Sequence, residues 1–326
     1  MKQVISIIAP MYNEEGLVRQ FVDVTLEALA PVAGQYDIEI VLVNDGSGDE
    51  TLSVMREVQE QHKKEVTVVN LTRNFGLEGA VNAGLKVACG DAVVVMDGDL
   101  QDPPSLIPSM IELWEAGNDI VIAKRCKRGF DSFFKRKSTD LYYRVQESLS
   151  GRLKLVRNAA NFRLLSRKAV DMLLSLPEVN GVFRITVPFL GMRTAIVEYE
   201  RDKRYSGKTK YNLSSMIRYA LDGLTGASIE PLRRVIIPAC VSGILMVLFI
   251  CLFFILSEVW KISMLTLSVM SFFFTLLFLC LALIGEYIAQ IMIETKGRPT
   301  SLIYDVIKCE NADNEYDACA AEGSKS

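Results

Sequence analysis

Two aspartates separated by one glycine are the residues of this chain best suited to chemistry. Asp97 and Asp99 directly follow the apolar run Ala92–Met96. A short β-branched run bounded by polar residues is typical of a buried parallel strand, and open α/β sheets bind ligands where such strands end. Two neighbouring carboxylates repel each other unless a cation lies between them, and Mg²⁺ or Mn²⁺ bound to a diphosphate is the natural occupant. A solvated Asp-Gly turn is the alternative that these three residues alone leave open.

The first 125 residues alternate strand patterns with helix patterns, which predicts an α/β domain whose parallel sheet is covered by helices on both faces. The predicted strands are Val4–Ala9, Ile38–Val43, Val66–Leu71, Ala92–Met96 and Asp119–Ala123. The predicted helices are Glu14–Ala30, Asp49–Gln61, Gly76–Ala88 and one that Pro103 and Pro104 open and that runs to about Ala116.

Polar residues follow every predicted strand. They are Tyr12, Asn13 and Glu14 after the first strand, Asp45 after the second, Arg73 and Asn74 after the third, Asp97 and Asp99 after the fourth, and Lys124 and Arg125 after the fifth. Because the carboxyl ends of parallel strands meet at one edge of a sheet, we expect these side chains to form a single binding site.

Composition and missing motifs exclude several classes of protein. No GxGxxG follows the first strand and no GxxxxGK[ST] occurs, which argues against an NAD enzyme and a P-loop NTPase. His62 is the sole histidine, which excludes a Ser-His-Asp triad and a histidine-rich zinc site. A net charge of −3 creates no field that favours nucleic acid. The seven cysteines lack CxxC spacing and are expected to be reduced, as in the cytoplasm.

Two uncharged stretches near the C-terminus predict a membrane anchor. Residues 235–256 and 262–285 are each long enough to cross the hydrocarbon core of a bilayer as a helix. The short connector 257–261 predicts a hairpin, with both ends of the chain on one side of the membrane. Lys and Arg flank the hairpin on that side, whereas the connector holds one Lys. The sequence therefore predicts a multi-pass protein of the inner (plasma) membrane whose large domain and both termini are cytoplasmic.

Three further segments carry a charge or amphipathic pattern. Between Lys124 and Lys168 there are 14 Lys and Arg against 3 Asp and Glu, which suits anionic headgroups or phosphate. Residues 212–234 have helical apolar spacing and predict a helix at the membrane surface, with ordinary packing against the domain as the alternative. The tail 286–326 is acidic after Lys308, and its end is expected to be disordered.

The ordered set of motifs resembles glycosyltransferase family 2 with a GT-A (Rossmann-like) fold. Within the family it resembles the polyprenyl-phosphate glycosyltransferases, which include dolichyl-phosphate mannose synthase and the bactoprenol glucosyltransferases. The matching segments are PMYNEE (10–15), VNDGSGD (43–49), RNFG (73–76), MDGDLQDPP (96–104), NFRLLSRKAV (161–170), RYSGKTKY (204–211), the two apolar spans and GEYIAQI (285–291). The implied organisation is a catalytic domain at 1–211, interfacial helices at 212–234, spans at 235–256 and 262–285, and a tail at 286–326.

The resemblance also implies roles for individual residues. On the donor side, the nucleotide pocket would be lined by Pro10, Tyr12 and Glu14, and Asp45 would contact the base or ribose. Mg²⁺ or Mn²⁺ would be held by Asp97 and Asp99, with Gln101 as a further ligand or neighbour. The lipid phosphate or the donor diphosphate would be engaged by Arg125 and Arg136, and a segment that closes over both substrates would supply Arg204 and Lys210. The long spans and the GEYIAQI ending are more similar to relatives that use UDP-sugars than to those that use GDP-sugars. The relatives suggest a homo-oligomer, specifically a tetramer.

One position departs from the pattern of the relatives, many of which have an acidic residue where this chain has Asn161. A phosphate acceptor is already ionised at neutral pH, so it can attack the sugar without a general base. The resemblance therefore implies inverting transfer of one hexose from a nucleotide-sugar, UDP-glucose or similar, to undecaprenyl or dolichyl phosphate. Transfer to another lipid acceptor, a non-catalytic membrane adaptor and a transport component remain as alternatives.

Overall fold

The computed structural model describes residues 2–125, 156, 159–177, 183–199, 241 and 259–310. Its strands are β1 (Gln3–Met11), β2 (Tyr36–Asn44), β3 (Val66–Leu71), β4 (Ala92–Val95), β5 (Ile120–Arg125), β6 (Ala159–Ser166), β7 (Thr194–Tyr199) and β8 (Ile303–Ile307). Its helices are α1 (Val18–Leu29), α2 (Thr51–Gln61), α3 (Gly76–Val87), α4 (Ile107–Glu115), α5 (Arg167–Leu174), α6 (Phe183–Phe189) and α7 (Val259–Lys296). Contacts divide the chain into two units, of which the first holds the eight strands and α1–α6 and the second holds α7.

The strands form one sheet in the order β7-β5-β6-β4-β1-β2-β3-β8. The predicted α/β architecture is confirmed, and the five predicted strands run in one direction, as expected. The strands β6 and β8, which were not predicted, run antiparallel to their neighbours. Lys124, at the end of β5, pairs with Ala159, at the start of β6. The chain thus leaves and re-enters the sheet at the same edge, and an antiparallel strand needs no crossover helix.

Alternation of apolar residues along the strands explains the two helical layers. Ile7 of β1 packs in a core with Phe21 of α1 and Met110 of α4, whereas its neighbour Ile8 packs with Leu85 of α3 on the other face. Successive side chains of a strand point to opposite faces, so the near-continuous apolar strands supply both cores. All five predicted strands and four predicted helices are present in the described residues, with shifted ends.

The largest boundary error among these elements is the start of α1. The sequence pattern placed it at Glu14, whereas the helix begins at Val18. Asn13 has a φ of +53°, and the Leu17 amide donates to the Glu14 carbonyl in a turn at 2.9 Å. The residues between β1 and α1 are therefore a shaped loop rather than a helical turn.

The segment after α7 joins the sheet as β8, which the sequence analysis did not predict. Asp305 accepts hydrogen bonds from Asn70 Nδ2 of β3 at 2.8 Å and from Arg56 Nη2 of α2 at 2.9 Å. The expected disordered end of the tail lies beyond Glu310, outside the described residues. A five-residue edge strand with an outward-facing Tyr304 carries too little apolar pattern to be found from sequence.

The structure describes one helix that is long and apolar enough to cross a membrane, the segment Phe272–Lys296 of α7. Apolar side chains of this segment, including Phe278 and Leu279, are exposed, unlike those of a soluble core helix. The predicted connector 257–261 is already helical from Val259, and α7 ends at Lys296 rather than at Gly285. The predicted first span 235–256 and the interfacial segment 212–234 lie outside the described residues, apart from Val241.

Candidate active site

The polar residues predicted at strand ends share one edge of the sheet. β1 to β4 run in one direction, and β5 and β7 run the same way on the far side of the antiparallel β6. The carboxyl ends of these strands therefore meet at one edge, together with the first residues of β6. Pro10 is partly buried there and Tyr12 is exposed. The predicted meeting of the strand ends is confirmed.

The acidic loop, which we define as residues 97–102, packs directly on the end of β1. A Cβ atom at Gly98 would lie 2.9 Å from Met11 Cγ and 3.2 Å from the Pro10 carbonyl oxygen, so only glycine fits without a shift. Asp97 and Asp99 flank this contact and are partly buried. The Asp99 carboxylate accepts a hydrogen bond from the backbone amide of Gln101 at 3.1 Å, which turns the loop back on itself.

The carboxylates of the acidic loop fit a divalent cation that is bound together with a phosphate ligand. Across the described part of the chain, no three His, Cys, Asp or Glu side chains form a cluster that could ligate a metal alone. Mg²⁺ is commonly held by one or two carboxylates, with substrate phosphates and water completing its octahedral shell. Asp97 and Asp99 supply such a pair, whereas the side chain of Gln101 is buried.

A buried ion pair holds the far end of the acidic loop. Asp102 has no exposed surface, and its carboxylate accepts from Arg125 Nη2 at 3.1 Å and from the Tyr199 hydroxyl. Arg125 Nε also donates to the Tyr199 oxygen at 3.1 Å. The pKa of Arg125 lies above its ordinary value, because the Asp102 charge and Tyr199 raise it by more than burial lowers it. Burial and Asp102 both raise the pKa of Tyr199. Arg125, predicted as a phosphate ligand, thus joins the acidic loop to the ends of β5 and β7.

Asp45 caps the helix that follows β3. Its two carboxylate oxygens accept from the Phe75 amide at 2.7 Å and the Gly76 amide at 3.0 Å, at the start of α3. Burial raises the pKa of Asp45 to about 6, although these two hydrogen bonds and the Arg73 charge oppose the shift. The predicted contact of Asp45 with a nucleoside stays a prediction, and the capping role is what the structure adds.

Hydrogen bonds join the loop after β1 to the loop after β2. The Asn13 amide donates to Ser47 Oγ at 3.0 Å, and Asn13 Oδ1 accepts from the Gly48 amide at 2.8 Å. The Glu14 amide donates to Thr51 Oγ1 at 2.9 Å. These bonds fix the backbone on both sides of Tyr12 and Glu14, the residues that the resemblance assigns to the nucleotide pocket.

Three polar residues at this edge were not singled out from the sequence as a group. Glu78 lies in the first turn of α3, Asn161 near the start of β6, and Arg184 in α6. Arg184 Nη2 donates to Asn161 Oδ1 at 3.3 Å, and Glu78 Oε2 accepts from the Phe183 amide at 2.8 Å. A glutamate in a first helical turn is ordinarily explained by the helix dipole, so the sequence carried no signal for this cluster.

Comparison with known proteins assigns the chain to a family. The family profile described as Glycosyl transferase family 2 matches residues 6–174. The chain is 36% identical to an uncharacterized glycosyltransferase of Bacillus subtilis (strain 168), over 94% of this chain and 95% of that protein. It is also 36% identical to the prophage bactoprenol glucosyl transferase homolog of Escherichia coli (strain K12), over 93% of this chain and 99% of that protein. The chain belongs to glycosyltransferase family 2.

Membership of glycosyltransferase family 2 confirms the resemblance that the ordered motifs indicated and makes the chain an enzyme that transfers sugar from a nucleotide-sugar donor. Among solved structures, the chain is similar to glucosyl-3-phosphoglycerate synthase from Mycobacterium tuberculosis in complex with Mn²⁺, uridine diphosphate and glucosyl-3-phosphoglycerate. That similarity has a TM-score of 0.49 at 20% sequence identity and covers 69% of this chain and 80% of the other.

Part of the predicted site of this family 2 glycosyltransferase lies outside the described residues. Arg136, Arg204 and Lys210 fall in this part of the chain. Their predicted roles at the diphosphate and the lipid phosphate stay predictions. The structure brings together Pro10, Tyr12, Glu14, Asp45, Asp97, Asp99, Gln101 and Arg125 at one sheet edge.

Replacing Tyr199 with Phe should loosen the acidic loop and leave the core packed. The variant loses the hydroxyl that contacts Asp102 and Arg125 but keeps the ring that lies edge-on to Phe162. We expect the free energy of unfolding to fall by about 1–2 kcal/mol. The affinity for UDP in the presence of Mn²⁺, measured by calorimetry on the full chain in detergent, should fall severalfold because Asp97 and Asp99, the candidate metal ligands, are less firmly held.

Tyr36→Phe is the matched control for this variant. The Tyr36 hydroxyl also donates to a carboxylate, that of Glu115, but at the start of β2, the strand end far from the site. The control should cost similar stability and leave UDP affinity unchanged. Equal losses of affinity in the two variants, or none in Tyr199→Phe, would contradict the positioning role.

The raised pKa of Asp45 predicts a pH-dependent contribution to stability. A carboxyl group whose pKa is higher in the folded chain than in the unfolded chain binds its proton more tightly when folded, so its contribution falls as the pH rises from about 4 through 6. Lowering the pH from 7 to 5 should increase the unfolding free energy of the wild type relative to Asp45→Asn by about 1 kcal/mol. Thermal unfolding of both proteins at the two pH values measures the difference, and a pH-independent difference would contradict the assignment.

Proposed function

We propose that this enzyme transfers one hexose from a UDP-sugar, UDP-glucose or similar, to the phosphate of undecaprenyl or dolichyl phosphate, with inversion at the anomeric carbon. The observation that carries the proposal is the pair Asp97 and Asp99, held at the carboxyl edge of the sheet by Gly98 and Asp102, in a chain that also has an apolar helix of membrane-spanning length. The similarity to the bactoprenol glucosyl transferase homolog extends over 93% of the chain and supports the same acceptor class.

On the donor side, the chain binds and orients the diphosphate. Asp97 and Asp99 would hold Mg²⁺ or Mn²⁺, which neutralises charge on the leaving nucleoside diphosphate when it is bound. Asp102 and Arg125 keep these carboxylates in place. Tyr12 and Glu14 follow the neighbouring strand β1 at the same edge of the sheet. Fixed geometry of this kind lowers the entropic cost of bringing two anionic substrates together.

On the acceptor side, the chemistry suits a phosphate nucleophile. Asn161 lies at the site edge and holds its amide oxygen toward Arg184 Nη2, and an amide cannot accept the proton that a hydroxyl acceptor must lose. An ionised lipid phosphate has no such proton to lose and attacks the anomeric carbon from the face opposite the diphosphate. Because Asn161 cannot act as a base, a phosphate acceptor is favoured over the lipid hydroxyl of the competing proposal.

The C-terminal segment supports membrane attachment on the side of the catalytic sheet. Only residues 297–302 connect the end of α7 to β8, which is part of that sheet. The proposal therefore takes the sheet to lie on the side of the membrane at which α7 ends. Lys296, Arg298 and Lys308 follow or flank that end, and by the positive-inside rule they support a cytoplasmic position for it. The two-span topology and a homo-oligomeric, tetrameric state are part of the proposal.

A transfer assay tests the reaction. The full chain in detergent is incubated with radiolabelled UDP- and GDP-sugars and either undecaprenyl phosphate or undecaprenol, with and without EDTA. We expect a lipid-extractable product from one UDP-hexose, with the phosphate acceptor only, and loss of that product in EDTA. Transfer to undecaprenol would contradict the phosphate acceptor, and no product from any donor would contradict the proposed reaction.

Replacing Asp99 with Asn should abolish most transfer without unfolding the protein. The change removes one negative oxygen ligand, and loss of this electrostatic contribution is expected to lower kcat/KM by at least about 100-fold. Asp23→Asn, on the exposed face of α1, is the control and should transfer at the wild-type rate. Near-normal turnover by Asp99→Asn would contradict the metal assignment.

A further inference from the structure

Two buried polar atoms near the acidic loop have no hydrogen-bond partner. They are Oε1 of Glu78 and Nε of Arg184. Buried polar groups are paired in the great majority of cases, and an unpaired one costs about 1–3 kcal/mol. An unpaired acceptor and an unpaired donor in one cluster therefore indicate a place that a ligand completes.

Each of these side chains is anchored at one end and unpaired at the other. Glu78 Oε2 accepts from the Phe183 amide at 2.8 Å, which leaves Oε1 unpaired. Arg184 Nη2 donates to Asn161 Oδ1 at 3.3 Å, which leaves Nε unpaired. The two side chains and their anchors come from α3, β6 and α6, so three separate elements hold the cluster in position.

The cluster is electrostatically coupled to the acidic loop. Burial raises the pKa of Glu78, the Phe183 amide and the charges of Arg184 and Arg163 lower it, and the Asp97 charge raises it. The pairing of β4 with β6 ends at Val95 and Arg163, two residues before Asp97 and two residues after Asn161, so the cluster and the acidic loop lie at the same end of this strand pair. If Asp97 binds the cation on the donor diphosphate, the group attached to that diphosphate, the hexose, lies beside this cluster.

The unpaired atoms select the chemistry of the ligand. A sugar hydroxyl both donates and accepts a hydrogen bond, so neighbouring hydroxyls can donate to Glu78 Oε1 and accept from Arg184 Nε. A phosphate would be attracted by Arg184 but repelled by the carboxylates of Glu78 and Asp97, and a fully ionised phosphate has no hydrogen to donate to Glu78. The cluster therefore favours a neutral polyol over a second anion.

We propose that Glu78 and Arg184, with Asn161 as the anchor of Arg184, form the subsite for the hydroxyl groups of the transferred hexose. The inference rests on the proposed function, because it takes the diphosphate to lie at Asp97 and Asp99. It assigns the choice between hexoses to side chains outside the family motifs, in the first turn of α3 and in α6. A site that hydrogen-bonds a hydroxyl discriminates strongly against donors in which that hydroxyl is missing or misplaced.

Glu78→Gln tests the acceptor half of the subsite. Glutamine keeps an oxygen for the Phe183 amide but replaces the other carboxylate oxygen with an amino group that cannot accept. Calorimetry on the full chain with Mn²⁺ compares UDP with the UDP-hexose that the wild type binds most tightly among UDP-glucose, UDP-galactose and UDP-N-acetylglucosamine. We expect about tenfold weaker binding of the UDP-hexose, with UDP affinity within twofold of the wild type. Glu112→Gln, on the exposed face of α4, should change neither affinity.

Arg184→Lys tests the donor half independently, including the case in which Glu78→Gln does not fold. Lysine keeps the positive charge but has no Nε–H, so the preference for one UDP-hexose over the others should fall severalfold while UDP affinity is unchanged. Arg193→Lys, at an exposed position before β7, is the matched control and should keep the wild-type preference.

The outcomes separate this inference from the proposed function. Equal losses for UDP and UDP-hexose in the cluster variants, or no loss for either, would overturn the subsite even if transfer to undecaprenyl phosphate is observed. A wild type that binds a UDP-hexose through Glu78 and Arg184 yet transfers nothing to that lipid would overturn the acceptor and leave the subsite standing.

Discussion

A carboxylate without contact to solvent has to be neutralised by its neighbours, and Asp102 is such a group. Arg125 at the end of β5 neutralises its charge, and the Tyr199 hydroxyl at the end of β7 donates a hydrogen bond to it. The acidic loop therefore cannot move independently of these strands, and Gly98 holds its other end against β1. The position of Asp97 and Asp99, and with it the donor site, depends on this buried network. Removal of any one partner would take at least one hydrogen bond from each of the other two.

Each element of the fold could be predicted only as far as its sequence pattern encodes it. Runs such as Ala92–Met96 predicted strands correctly because burial on both faces demands continuous apolar residues, and strand ends predicted the shared edge. No strand was predicted at β6, because Asn161 and the buried Arg163 interrupt its apolar run. The resemblance implied a phosphate ligand at Arg125, which stays a prediction, and the ion pair of Arg125 with Asp102 was not predicted, because sequence patterns do not encode side-chain contacts between a loop and a strand. Glu78 and Arg184 became candidates only through their unpaired atoms.

The segment that follows α7 is held against α3 as well as against the sheet. β8 pairs with β3, and Thr300 Oγ1 donates to Asn82 Oδ1 of α3 at 3.0 Å. A Cβ at Gly79 would lie 2.8 Å from the Thr300 carbonyl oxygen, so the segment packs tightly on the turn that contains Glu78. The residues that follow the apolar helix thus contribute to the framework of the catalytic unit.

The central claim is that a lipid phosphate, without help from a base, displaces the nucleoside diphosphate. The most direct measurement is the NMR spectrum of the purified product made from an α-linked UDP-hexose and undecaprenyl phosphate. The account predicts a ³¹P signal of a phosphodiester and proton couplings of a β-linked sugar, since attack opposite the leaving group inverts the anomeric carbon. An α-linked product, or a sugar joined to a lipid hydroxyl, would contradict it.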